Sequence, residues 1–213
     1  MKQPLSKRKQ AMPDAGVAIV AADAFREQSQ PFLQRVGPDI STAHERAVRD
    51  IGGLIASATS LALAVELYLK ALRILVGLQV TAHHDLWALF KGLPKEIKDS
   101  VEQYYGSLGG PQGSDIHTLT VKVSVGPFTK EQLAESDKEE NGSAQDNSLK
   151  SVLKRSKDAF LTWRYFHEQG DRAAISVFHY EFHYLGAAAE AVRVHACEAL
   201  AHVRDREQTS QVV

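Results

Sequence analysis

Residues Leu61–Gly77 read LALAVELYLKALRILVG, the most apolar window of the chain. Leu61, Val65, Tyr68, Leu72 and Leu75 recur at alternating steps of four and three, and Ala64, Leu69 and Val76 widen the stripe. This is a helical period with a broad apolar face, and a face that broad needs burial on more than one side. Away from it stand Glu66, Lys70 and Arg73, spaced by four and three and so grouped on another side of the same helix. An acid four residues before a base is the favourable order for a helical ion pair, worth about 0.2–0.5 kcal/mol at a surface. Charges on so apolar a helix are either a partly solvated edge or part of a site. They also make the window a poor membrane span.

Working outward, Ser41 is a fair N-cap for a helical pattern running from Thr42 to about Gly77, with Gly52-Gly53 marking a bend or a close helix crossing. Upstream, residues 17–35 carry a helix that Pro31 kinks or ends, and Gly37-Pro38-Asp39 is a break. Downstream, Asp85 is a plausible N-cap for a short helix stopped at Gly92-Leu93-Pro94, and residues 95–105 resume helical spacing. Gly106–Ser114 is glycine-rich, His117–Val125 alternates like a strand, and Glu131–Ser148 reads as a polar, disordered loop. Helical spacing returns from Leu149 to about Glu168. Arg172–Tyr180 is either a strand pairing with His117–Val125 or the lead-in to a last helix through Phe182, Leu185, Ala189, Val192, Ala196, Leu200 and Val203. The sum is an all-α fold, an antiparallel four- to five-helix bundle at 17–204. An irregular insertion at 106–148 has room for a β-hairpin. Residues 1–16 form a disordered basic tail, or an arm that touches phosphate, and 205–213 form a polar tail.

The chain has 213 residues, 44% hydrophobic and 24% charged, with a net charge of -1. That composition fits a soluble globular protein and gives no whole-molecule attraction for nucleic acid, so such binding requires a local patch. The single cysteine, Cys197, excludes an internal disulfide and sits in an apolar helical pattern as a small core residue. Nothing resembles a secretory signal, and a cytoplasmic location is expected.

Three patches carry a family resemblance: Glu66 and Lys70 in ALAVELYLKALRILVG, His84 and Asp85 in HHDLWALFKGLP, and Arg164 and Glu168 in AFLTWRYFHE. In this order and spacing, over roughly residues 45–95 and 149–204, the chain resembles the HEPN superfamily, small helical bundles of prokaryotic toxin–antitoxin, phage-defence and RNA-processing systems. The resemblance implies a four-helix core that often dimerises, RNA or a nucleotide as ligand, and an antitoxin or other protein as partner. Many members are metal-independent ribonucleases with an Arg, four to six residues, then a His. Arg172 and His179 have that spacing, with Ala173 where the family often has a polar residue. No cofactor and no metal are implied.

Cleaving RNA without a metal takes a base for the 2′-hydroxyl and a cation for the phosphorane. Histidine, with an ordinary pKa of about 6.5, and arginine, with its planar fork, are the right types. The bland reading makes Arg172 a loop arginine and His179 a helix-start residue. Arg164, beside Trp163 and Tyr165 and four residues before Glu168, either braces its helix against Glu66 and Lys70 or binds phosphate. His83-His84-Asp85 reads as a helix cap whose imidazole bonds a carboxylate, or as a ligand site. His179 and His183 would share a helical face at metal-site spacing, with no third ligand apparent. No phosphate-binding glycine loop or serine or cysteine nucleophile signature is present. Three readings remain. A ribonuclease places Arg172 and His179 together in a basic cleft or across a dimer seam. A non-catalytic HEPN-like module binds nucleotide, RNA or protein through Glu66, Lys70 and Arg164. A structural bundle shows a broad apolar surface and no cleft.

Overall fold

The computed structural model describes residues 14–35, 44–80, 82–108, 119–123, 146–164 and 176–211. Among them the chain is mostly helical. Asp14 starts α1 (Ala15–Arg35), its carboxylate accepting from the N–H groups of Gly16 and Val17 at 2.7 and 3.3 Å, donors that have no carbonyl of the helix to meet. Ala15, Ile19 and Ala22 form its buried stripe. The helix does not end at Pro31: the missing N–H costs one bond near the C-terminal end, and the helix runs on to Arg35.

α2 (His44–Leu75) holds the core. Ser41, its expected cap, lies outside the described residues. Gly52-Gly53 stays helical, and Leu54, Ala58, Leu61, Val65, Tyr68, Leu69 and Leu72 are buried, with Ala62, Ala64 and Ala71 buried beside them. α2 ends on Gly77, at φ 77°. The Gly77 N–H donates to the Ile74 carbonyl at 3.0 Å and the Leu78 N–H to that of Arg73 at 2.8 Å, the paired bonds of a Schellman cap. Only a residue at ease with positive φ fits there.

α3 (Leu86–Lys91) and α4 (Lys95–Ser107) follow, separated by Gly92-Leu93-Pro94. The helix expected over Leu149–Glu168 is broken into α5 (Leu149–Arg155) and α6 (Ala159–Arg164). The turn between them serves another element, since the Lys157 carbonyl accepts from the Leu86 N–H at 3.1 Å. β1 (Leu119–Val123) pairs antiparallel with β2 (Ser176–Tyr180), Val121 opposite Phe178. The strand in the insertion thus meets the segment leading into α7 (Phe182–Gln211). α1 begins at Ala15 and α7 continues to Gln211, so helix reaches into both stretches expected as tails, and the residues of α7 from Arg204 to Glu207 are exposed.

α2 packs on α1, α3, α6 and α7. Tyr68 reaches Asp23 while Ser57 reaches Ser29, so α1 and α2 run in opposite senses. Arg26 meets Glu190, and Gly16 lies beside Leu200 and Arg204, so α1 and α7 do the same. Alanines 188, 189, 191 and 196 are buried along α7, small side chains that let helices approach closely. Cys197 sits half-buried against this core. Among the described residues, Gly52–Leu75 alone is long and apolar enough to cross a membrane, and 56% of its apolar window is buried inside the protein.

Candidate functional site

Glu66 is placed by the α2 stripe, between the buried Val65 and the half-buried Leu67, and its side chain is only 2% exposed. A buried carboxylate is costly unless hydrogen-bonded. Lys70, one turn on, brings Nζ to 2.6 Å from Oε1. His84 brings Nδ1 to 3.0 and 2.9 Å from the two carboxylate oxygens. A carboxylate only accepts, so Nδ1 is the donor in these contacts. The imidazole is 38% exposed and lies tilted against the Phe160 ring of α6, centroids 5.3 Å apart.

Both ends of the connection carrying His84 are fixed. Asp85 caps α3, accepting from the Ala88 N–H at 2.8 Å. At the α2 end, Arg73 donates through Nε and Nη2 to the Gln79 carbonyl at 3.3 and 3.0 Å, and through Nη1 to that of Leu89 at 3.2 Å. Arg73 therefore braces backbone and leaves the carboxylate to Lys70 and His84. Gly92 makes room for it, since a Cβ there would run into Arg73 Nη1. Nearby on α3, the Trp87 ring carries Lys154 Nζ at 5.3 Å from its centroid, a cation–π distance.

The structure thus brings Glu66, Lys70 and His84 together with Asp85 beside them. Arg164 is the last residue of α6, which packs on α2; its side chain, like Glu168 and Arg172, lies outside the described residues. His179 is not at a helix start. It sits in β2 opposite Thr120, because Ser176–Tyr180, with β-branched Val177 and the aromatics Phe178 and Tyr180, extends against Leu119–Val123. His179 and His183 consequently do not share a helical face, one being in a strand and the other in α7.

Several polar contacts between elements carried no signal in the sequence. The Tyr68 hydroxyl donates to Asp23 at 2.5 Å; burial, then Asp23, pushes this phenol far above its ordinary range. Glu190 binds Arg193 at 3.0 and 2.8 Å and Arg26 at 2.7 Å. The bond from Arg193 leads in holding its carboxyl below the usual range. Arg155 grips the buried Glu181 at 2.8–3.1 Å, tying α5 to the start of α7. Only Glu190 and Arg193, three apart on one helix, could be paired by spacing.

Chemically, the Glu66 cluster sets an imidazole and an ammonium group side by side on one buried carboxylate, two N–H donors of the kind that meet anionic or acceptor groups. Comparison of the chain with family models, curated proteins and solved structures gave no match.

Proposed function

We propose that this chain is a HEPN-like helical domain of a prokaryotic defence or toxin–antitoxin system, working in the cytoplasm. Its long helices form an antiparallel bundle, and it binds RNA or a nucleotide at the surface around Glu66, Lys70 and His84. The observation that carries the reading is the Glu66 clamp: Lys70, one turn on, and His84, 18 positions on from Glu66, converge on its one buried carboxylate. The opposite senses of α1 relative to α2 and α7 support the bundle. A homodimer and an antitoxin partner belong to the same proposal. Its catalytic version adds metal-independent cleavage by Arg172 and His179.

Titrating a fluorescently labelled single-stranded RNA in EDTA, followed by anisotropy and by gel, tests both versions. The binding version expects Lys70→Ala and His84→Ala, each checked for folding by circular dichroism, to weaken binding about tenfold, roughly 1.4 kcal/mol. Equal binding by wild type and both variants would sink it. Cleavage by wild type that falls in both Arg172→Ala and His179→Ala would establish the nuclease version instead.

A further inference from the structure

A second feature lies where α4 packs on α7, and it shares no residue with the Glu66 cluster. Ser100 of α4 and His195 of α7 stand 95 positions apart in the chain, yet Ser100 Oγ lies 2.8 Å from His195 Nε2. Both line an open cavity of about 310 Å³, at the lower end of the range for small-molecule sites. We propose that Ser100 and His195 are a nucleophile and its general base. The cavity takes a small, uncharged carboxylic ester, whose acyl group Ser100 accepts and passes to water.

Hydrogen bonding fixes the direction of the pair. His195 Nδ1 lies 2.8 Å from the Ala191 carbonyl, one turn back on α7. A carbonyl only accepts, so Nδ1 holds a proton, and in the neutral imidazole Nε2 is then the acceptor. The Ser100 hydroxyl therefore donates to Nε2. An adjacent base, itself oriented by a third group, is the arrangement that activates a serine. Here the Ala191 carbonyl takes the orienting place that a carboxylate holds in a triad. The Tyr104 ring stands edge-on to the imidazole, centroids 5.9 Å apart at 76°, and packs the base from the α4 side. Ser100 is exposed and His195 half-buried, so an ester can reach the oxygen while the base stays held. Gln103, one turn on from Ser100 and lining the same cavity, brings an amide donor for the oxyanion. Glu198 on the α7 wall disfavours an acidic ester. In the reaction, Oγ bonds to the ester carbonyl carbon and its proton passes to Nε2. The tetrahedral intermediate collapses by breaking the bond to the alcohol oxygen, which leaves with that proton. Water then repeats the relay on the acyl-serine, releasing the carboxylic acid and restoring both groups. Ser107 lines the same cavity, but its hydroxyl is committed to the Tyr104 carbonyl at 2.7 Å, which makes it an internal control.

The full chain is treated with an alkyl fluorophosphonate, which phosphonylates activated serines with loss of fluoride, and is read by intact mass and peptide mapping. One adduct is expected, on Ser100, forming at least roughly tenfold faster than any on Ser107. Ser100→Ala, at an exposed position, should lose the adduct at an unchanged melting temperature. His195→Gln keeps a polar side chain between the helices but removes the base, and should slow labelling about a hundredfold. p-Nitrophenyl acetate supplies the substrate arm: wild type should release p-nitrophenol with a transient acetyl mass on Ser100, and Ser100→Ala should not. No adduct, labelling of Ser107 as fast as Ser100, labelling unchanged in His195→Gln, or equal ester hydrolysis by wild type and Ser100→Ala would each overturn the proposal. Should His195→Gln melt lower than wild type, the Ser100 to Ser107 labelling ratio in wild type decides alone.

Discussion

At the scale of single residues, the consequence of burying Glu66 is that its partners become mutually dependent. Pairs of this kind add little net stability, yet removing one member strands the other. Glu66→Gln is therefore expected to destabilise the fold by about 1–2 kcal/mol, towards the low end for bonds to charged groups because His84 is partly exposed. Urea unfolding of the variant reads this directly. The acid limb of stability has a separate origin. Hydrogen bonding to Arg193 lowers the Glu190 carboxyl, and bonds from the Ser151 hydroxyl, then from Ser148, bring Asp146 down to about 2. Groups with depressed folded pKa values contribute stability above their ordinary carboxylate range, and it is lost as pH falls through the folded value. The urea midpoint should thus fall between about pH 4 and 2. Glu190→Gln should be less stable than wild type at pH 7, and the gap should close on acidification. At this scale Asp85 could be read as a cap because capping is local. Glu66 and Lys70 could be paired by their spacing. That Glu66 is buried, and that Asp23, Arg26 and Glu181 have the partners they do, depends on which helices adjoin, which periodicity does not encode.

At the scale of elements, glycine makes the sharpest contrast. Gly77 ends α2 with positive φ, where a side chain strains the backbone, so Gly77→Ala should cost about 1 kcal/mol. Gly52 and Gly186 lie inside α2 and α7, and a Cβ on either meets nothing within 4 Å. Replacing each by alanine should raise stability by about 0.5–1 kcal/mol, through helix propensity alone. Thermal melts of the three single variants, with opposite signs expected, check the pair of arguments together. The same locality explains what could be read beforehand. The α2 stripe, the stop at Gly92-Leu93-Pro94 and the α7 stripe are periodic or carry breakers, and their positions follow from the residues. The break between α5 and α6 has no breaker in it. It exists because the Lys157 carbonyl serves α3, a contact made across more than sixty positions. Likewise Ser176–Tyr180 has strand-favouring residues in Val177, Phe178 and Tyr180, but it becomes a strand only where Leu119–Val123 is present to pair with it.

At the scale of the whole molecule, the order of elements along the chain differs from the order in which they cover one another. The apolar segment of α2 is flanked early by α1 and α3, but another neighbour, the long helix α7, lies about a hundred residues further on. At a synthesis rate of about 5–20 residues per second, roughly 5–20 s pass between the two. Throughout that interval this helix lacks its α7 cover. By length and composition alone it could cross a membrane. Glu66, Lys70 and Arg73 then acquire a meaning separate from any ligand: each raises the cost of placing this helix in a bilayer.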